Sequence, residues 1–412
     1  MTPTHPDLSS TLPLLATGFI LALVVVLGTT PLVRGFMRAH GIVDRPEARR
    51  VNTRVIARAG GIAVAGGFLL VSLAMLALNS MTHSVVAPNG IGPMQMTALL
   101  AGGALAAAIG LLDDLYQLRA RYQFIGQFAV AFFAVGMGIS VRVINVPLGA
   151  DGTWQPGPIL GALAAVVWIV ALINSINFID GLDGLSSGIG LIAALTLAVF
   201  SMGFGSDEPY VALFCLILAG ALAGFLRWTF HPASIFIGTS GIMFVGYTLA
   251  VLSISGAAKI AVALLVLGVP IMDTFWIVVR RLANGRSPFA ADRGHIHHRL
   301  LDLGLSHRGT VLTIYAVCVL LSGLSFVLSF RTQMYAFLGL VVVFGLVLLG
   351  IEKVGGGAQE IDQSLDADSY GNGDADPTDA LPADSHDAAV SVELAGSGAD
   401  LRPEAMPEEA VK

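Results

Sequence analysis

Asp113 and Asp114 stand side by side in Gly110-Leu-Leu-Asp-Asp, at the end of an apolar stretch. Two adjacent carboxylates repel one another unless a cation or a basic partner shares their site. An acidic pair at a helix C-terminus also opposes the helix dipole, which argues for a functional role over a solvated helix end. Arg119 and Arg121 follow within one or two turns, where they either bind phosphate oxygens or anchor the chain at a membrane surface. Further on, Asn174, Asn177, Asp180 and Asp183 recur every third residue in Asn-Ser-Ile-Asn-Phe-Ile-Asp-Gly-Leu-Asp-Gly. On a helix this spacing gathers two amides and two carboxylates on one slowly drifting face. Hard oxygen donors of this kind suit Mg2+, with Mn2+ as a substitute, held together with substrate phosphates. Gly181 and Gly184 let the backbone turn or approach a ligand closely. A helix cap uses one Asn or Asp, hardly four.

His295, His297 and His298 lie in Asp292-Arg-Gly-His-Ile-His-His-Arg299, between basic loop residues. Zinc is one reading of the cluster, although no cysteine is near and the other candidates are hard oxygen donors. Imidazoles and guanidinium groups facing a diphosphate fit better, and a solvated basic loop is the plain alternative. Asp273 lies within an apolar stretch seven residues before Arg280, about 10 Å from the interface by helical rise. It is either part of the site or a structural partner to another helix.

The elements that must hold these groups are membrane helices. The chain is 55% hydrophobic and 12% charged with a mean hydropathy of +0.79, too apolar for a soluble domain. A spanning helix needs about 20 apolar residues. Eleven stretches read as spans, near 12–33, 60–78, 95–112, 124–141, 159–175, 185–203, 209–226, 240–256, 258–279, 310–330 and 333–351. The expected fold is all-α and polytopic, because helices satisfy their own backbone groups in lipid. Glycines between Gly60 and Gly67 predict close helix contacts. The first stretch shows no small-residue cleavage pattern and is followed by Arg34, so it reads as an anchor rather than a signal peptide.

Arginine gathers in the loops after the first span (Arg34, Arg38, Arg45, Arg49, Arg50, Arg54, Arg58) and after the ninth, while the loops at 79–94 and 142–158 are almost uncharged. The positive-inside rule makes the arginine-rich loops cytoplasmic. An odd number of spans then puts the N-terminus outside and the C-terminus inside. Nearly all of the chemistry-bearing residues fall at cytoplasmic span ends. The net charge of −6 hides a split: residues 352–412 carry −12 and the transmembrane part, 1–351, carries +6. That tail has too little apolar and aromatic content to fold alone and reads as a disordered cytoplasmic extension, with a partner-docking segment as the alternative. Cys215 and Cys318 fall within spans as small apolar residues, and two cysteines there form no disulfide or zinc framework.

In combination these motifs resemble the polyprenyl-phosphate N-acetylhexosamine-1-phosphate transferases, integral membrane enzymes that start lipid-linked glycan synthesis. The resemblance covers about residues 10–350. It rests on Asp44-Arg-Pro-Glu-Ala-Arg49-Arg50 followed by Arg58-Ala-Gly-Gly61, on Asp113-Asp114, on Asn177-Phe-Ile-Asp180-Gly-Leu-Asp183-Gly and on His295-Ile-His-His. It implies transfer of a sugar 1-phosphate from a UDP-N-acetylhexosamine to a polyprenyl phosphate, releasing UMP, at the inner membrane of a bacterium. The His-Ile-His-His form resembles the branch that uses UDP-N-acetylglucosamine, rather than the muramoyl-pentapeptide branch with three consecutive histidines. By resemblance, Asp113 and Asp114 handle the acceptor phosphate, and Asn177, Asp180 and Asp183 bear on Mg2+ and nucleotide. Arg49, Arg50, Arg58, Arg121, Asn174, Arg293 and the three histidines bind substrate. The partners implied are the two substrates and the lipid bilayer, with no nucleic acid; a homodimer is compatible with the chain and not required by it.

Three positions depart from the family pattern. Where the family has Phe-x-Gly-Asp-x-Gly-Ser, this chain has Phe236-Ile-Gly-Thr239-Ser-Gly-Ile242, so a neutral hydroxyl stands where a metal-binding carboxylate is expected. Asn52 replaces a histidine, and Arg121 a lysine. Thr239 leaves two readings: an active metal site in which Asn177, Asp180, Asp183 and substrate phosphates hold Mg2+ with Thr239 contributing through water, or a degraded site that leaves a catalytically weakened binder of lipid phosphate or nucleotide sugar. A secondary transporter, whose polar residues would sit at the bilayer midplane, fits less well.

Overall fold

The computed structural model describes residues 8–44, 55–82, 91–145, 153–203, 208–255, 259–283, 285, 295–329 and 332–346. The acidic tail lies outside the described residues, as do Arg45, Arg49, Arg50, Asn52, Arg54 and Arg293.

The chain is an all-α membrane protein. Its helices are α1 (Leu8–Ala39), α2 (Gly61–Thr82), α3 (Pro93–Tyr116), α4 (Ala120–Gly136), α5 (Pro158–Ile179), α6 (Leu185–Ser201) and α7 (Pro209–Thr229), then α8 (Gly238–Ile254), α9 (Lys259–Val266), α10 (Gly268–Ala283), α11 (Ile296–Asp302), α12 (His307–Val327) and α13 (Thr332–Leu346). Two antiparallel ribbons of two-residue strands, β1 (Val43–Asp44) with β2 (Ile56–Ala57) and β3 (Ile144–Asn145) with β4 (Thr153–Trp154), are the strands among the described residues. Pro93, Pro158 and Pro209 open α3, α5 and α7, where a missing N–H costs nothing and the ring pre-sets the helical φ.

Each of the eleven apolar stretches is helical over most of its described residues, but among those residues not every one is long enough to be a full-length span. Among the described residues six helices, α1, α2, α3, α5, α7 and α12, are long and apolar enough to cross a bilayer, and α9 with α10 makes a seventh if the bent pair is one span. The helices α6 and α8 have 17 residues each, short of the ~20 a full crossing takes. Hydropathy averaged over a window does not register where a helix breaks. The 72° bend between α9 and α10 has a local cause. Pro270 cannot donate to the carbonyl four residues back, and its ring clashes with it; that carbonyl belongs to Val266, the last residue of α9.

Two helices form the centre of the bundle. The described contacts place α7 against α1, α2 and α6, and α8 against α3, α5 and α2. Lipid provides no hydrophobic drive between helices, so close packing must hold them. A Cβ on Gly220 would lie 2.2 Å from the Phe19 carbonyl oxygen, and one on Gly224 2.5 Å from that of Leu23, so α1 and α7 touch backbone to backbone. The glycines at the start of α2 do what their clustering predicts: Gly61 meets Gly241 of α8, and Gly67 meets Val26 of α1.

Candidate active site at one end of the bundle

The C-terminal end of α3 meets the N-terminal end of α8. Asp113 and Asp114 are buried there. Asp114 accepts the Thr239 amide on Oδ1 at 2.9 Å and the Ser240 amide on Oδ2 at 3.0 Å, so a side chain of α3 caps α8. Unpaired amides and the positive end of a helix dipole favour an anion at that position. Asp113 accepts from the Leu118 amide (2.9 Å) and Gln123 Nε2 (2.8 Å) on Oδ1, and from the Thr239 hydroxyl (2.6 Å) on Oδ2. Five donors thus offset the burial and mutual repulsion of the pair. The approach requires glycines. A Cβ on Gly110 would lie 2.5 Å from the Ser240 Cα, and one on Gly238, which adopts φ +70°, would lie 2.6 Å from an Asp114 oxygen.

Arg58 reaches the same place through the backbone. The Gly60 and Gly61 amides donate to the Phe236 and Ile237 carbonyls, and the Phe236 amide donates to the Ala57 carbonyl. This lacing of the strand before α2 to the loop before α8 sets the Arg58 guanidinium 3.9 Å from Asp114.

The asparagine and aspartate run divides where α5 ends, at Ile179. Asn174 and Asn177 are helical, Asp180 is the C-cap and Asp183 lies in the turn before α6, so the four do not share one helical face. Asn174 donates to Gln127 Oε1 of α4 at 2.6 Å and to the Val170 carbonyl at 2.7 Å, a buried tie between helices rather than a contact with the carboxylates. Asp180 accepts the Ser186 hydroxyl. Burial, then the charges of Asp114 and Asp183, push the Asp180 carboxyl up to about 7, against the Ser186 bond and the opposing charge of Arg58. Asp114, Asp180 and Asp183 are therefore electrostatic neighbours although they come from different elements.

Asp183 is held from three directions. Its Oδ2 accepts His231 Nδ1 at 2.7 Å and the Ala233 amide at 3.0 Å, and its own amide donates to His307 Nε2 at 3.0 Å. The rings of His231 and His307 stack with centroids 4.1 Å apart. Sequence reasoning did not single out either histidine, nor Gln123, Gln127 and Ser240. The Phe236–Gly241 segment pointed to the region of Ser240; nothing in the spacing pointed to His231 or His307.

The histidine cluster arrives on α11. Asp273 of α10 accepts His295 Nδ1 at 2.7 Å and the Ile296 amide at 2.8 Å, so it fixes both the first histidine and the start of the helix. His297 is 1% exposed, and neither ring nitrogen has a hydrogen-bond partner among the described residues. Burial holds its imidazole far below the ordinary value, with His298 and His295 adding to the effect. A Cβ on Gly181 would lie 2.1 Å from His297 Nε2, so the ring rests on the turn between Asp180 and Asp183. His298 stacks obliquely on His297, at 4.4 Å. Arg121, by contrast, is exposed, its guanidinium lying 4.8 Å from the Tyr122 ring centroid and bonded to that hydroxyl.

Three sets of side chains here have metal-ligand chemistry. Asn177, Asp180 and Asp183 supply hard oxygens beside mutually repelling carboxylates, which suits a divalent cation such as Mg2+. Thr239 already donates its hydroxyl to Asp113. Asp183 with His231 and His307, and Asp273 with His295 and His297, each bring ligand atoms within 4.8 Å of one another. In all, one end of the bundle concentrates carboxylates, an arginine and imidazoles, an arrangement that can hold two phosphate-bearing molecules and a cation.

The chain matches the model of glycosyl transferase family 4 over residues 96–257. It is 35% identical over 339 residues to the probable undecaprenyl-phosphate N-acetylglucosaminyl 1-phosphate transferase of Bacillus subtilis (strain 168), spanning 80% of this chain and 88% of that protein. It is also 35% identical to the decaprenyl-phosphate N-acetylglucosaminephosphotransferases of Mycolicibacterium smegmatis (82% of this chain, 89% of that protein) and Mycobacterium tuberculosis strain H37Rv (81% and 87%).

Proposed function

The chain belongs to glycosyl transferase family 4, and from that membership we propose that it transfers N-acetylglucosamine 1-phosphate from UDP-N-acetylglucosamine to a polyprenyl phosphate. An oxygen of the lipid phosphate attacks the sugar-bearing phosphorus, the bond to the uridylyl phosphate breaks, and UMP leaves. The observation that carries this reading is the convergence of Asp113, Asp114, Asp180, Asp183, Arg58 and His297 at one end of a membrane bundle.

The residues divide the work by chemistry. Asn177, Asp180 and Asp183 would hold Mg2+ together with substrate phosphates, and the cation would neutralise charge on the diphosphate. Asp114, fixed by the α8 amides, and Asp113, fixed by Gln123 and Thr239, orient the acceptor phosphate. His297, a neutral imidazole with no partner on either nitrogen among the described residues, gives its one ring N–H to the donor diphosphate, and Arg58 offsets the phosphate charge. By the family resemblance, Arg49, Arg50 and Arg293 would add basic contacts to the substrates.

For topology we propose eleven membrane segments with the N-terminus outside, the C-terminus inside and the site on the cytoplasmic face of a bacterial inner membrane. What supports this orientation is that Arg34, Arg38, Arg58, Arg227, Arg280, Arg281 and Arg308 belong to helix ends and loops on the side of the bundle that carries the site. At about 1.5 Å per residue, the 17-residue helices approach the ~30 Å hydrocarbon thickness.

Purified protein supplied with UDP-N-acetylglucosamine, polyprenyl phosphate and Mg2+ should release UMP, and omission of any one of the three should stop it. Folded protein that releases none would end this reading. The Thr239 hydroxyl, committed to Asp113, favours one second reading, a weakened binder. It predicts ligand binding without turnover in the wild type and a gain of activity in Thr239→Asp.

A further inference from the structure

We propose that His231 and His307 are positioning residues of the transfer reaction, a pair of imidazoles that sets the orientation of Asp183. They come from two elements remote in sequence, the loop between α7 and α8 and the first turn of α12. His231 donates from Nδ1 to Asp183 Oδ2, and His307 accepts the Asp183 amide on Nε2. The pattern fixes the ring protons: His231 carries one on Nδ1, and His307 presents a bare Nε2. The rings stack, so each limits the rotation of the other. The Arg308 Nε–H donates to the His231 carbonyl at 3.1 Å, a second tie between the same two elements.

A mere staple between loops could use any acceptor of the turn. This one instead engages both the carboxylate and the backbone of the motif aspartate. With the Ala233 amide on Oδ2 as well, two donors hold one carboxylate oxygen while Oδ1 has no hydrogen-bond partner among the described residues. A carboxylate pinned by one oxygen and uncommitted at the other is oriented without being neutralised. Outer-shell partners of that kind fix the geometry of a functional carboxylate. The turn itself is short and contains Gly181 and Gly184, so it does not rigidly orient Asp183 by its own backbone.

This inference rests on the proposed transfer reaction and on Asp183 as one of the cation-holding carboxylates. The test uses reach. In His307→Gln the side-chain amide oxygen can take the position of Nε2, whereas His307→Asn is equally polar but too short. In His231→Asn the amide nitrogen stands in for Nδ1, whereas His231→Phe keeps the stack and loses the donor. Expected are kcat values close to wild type in His307→Gln and His231→Asn, and a loss of about tenfold in His307→Asn, where a neutral hydrogen bond is lost, and of about tenfold or more in His231→Phe, where the lost bond is to a carboxylate. The KM for polyprenyl phosphate should stay unchanged. The Mg2+ concentration that half-protects the detergent-solubilised protein against thermal unfolding should rise in the two disabled variants. Equal kcat and equal Mg2+ midpoints in His307→Asn and His307→Gln would overturn the proposal, even if His231→Phe does not fold. Wild-type protein without UMP release would instead refute the transfer reading, and the Mg2+ midpoints would still decide whether the imidazoles hold Asp183.

Discussion

The Asp114 carboxylate accepts the backbone amide of Thr239 at 2.9 Å, a contact between residues 125 positions apart that closes the end of one helix onto the start of another. It explains how an acidic group survives burial beside a second one. It also means that Asp114 is at once a candidate for the chemistry and a structural cap.

Asp114→Asn should therefore harm both. The amide offers one acceptor oxygen for two backbone donors and turns an N–H toward the other, leaving a buried group unpaired at about 1–3 kcal/mol. Thermal unfolding in detergent should shift down, and UMP release should fall by about a hundredfold or more. A variant with unchanged melting would show that the cap carries no stability.

Gly181→Ala should separate positioning from folding. The new Cβ would lie 2.1 Å from His297 Nε2, so the ring must move while the turn itself tolerates alanine. A displacement of about 1 Å can cost about a hundredfold in rate. Activity should fall to that extent with melting nearly unchanged, and full activity in Gly181→Ala would remove His297 from the donor site.

The raised Asp180 carboxyl sets a pH dependence for cation binding. A cation binds the ionised form and displaces a proton, so affinity is flat above the raised value of about 7 and falls as pH drops through it. Titration calorimetry at pH 8 and pH 6 should show Mg2+ binding weakened by about tenfold at the lower pH, with proton release on binding. Equal affinity at both values would exclude Asp180 as the ligand whose protonation competes.

Thr239→Val removes the donor to Asp113 Oδ2 and keeps the amide that holds Asp114. Loss of that one hydrogen bond should cost about 1 kcal/mol of stability and about tenfold in kcat, and Thr239→Ser should restore both. Steady-state kinetics on the three proteins checks it.

Gly220→Ala tests the scaffold apart from the chemistry. Its Cβ would lie 2.2 Å from the Phe19 carbonyl oxygen, so α1 and α7 must part, at about 1–3 kcal/mol. The melting temperature should fall while the folded fraction keeps its specific activity. Loss of activity without loss of stability would mean that the α1–α7 crossing bears on the site.

Much was legible in the chain itself. Hydropathy located the helical segments, though it ran 258–279 together as one span across the break after Val266, and the types and spacing of Asp113, Asp114, Asp180 and His297 pointed to the chemistry and its family. These are local properties: apolar periodicity and the few side chains that suit a cation or a phosphate.

Partners were decided only in three dimensions. Asn174, spaced like a ligand, pairs with Gln127 of the neighbouring helix, and the unremarkable His231 and His307 take hold of Asp183. Spacing along one helix says which residues share a face, but it does not say where that helix ends. Nor does it say which of two distant loops the bundle brings within hydrogen-bond reach. Those distances follow from the crossings that glycines such as Gly110, Gly220 and Gly238 permit, and a crossing is a property of two surfaces together.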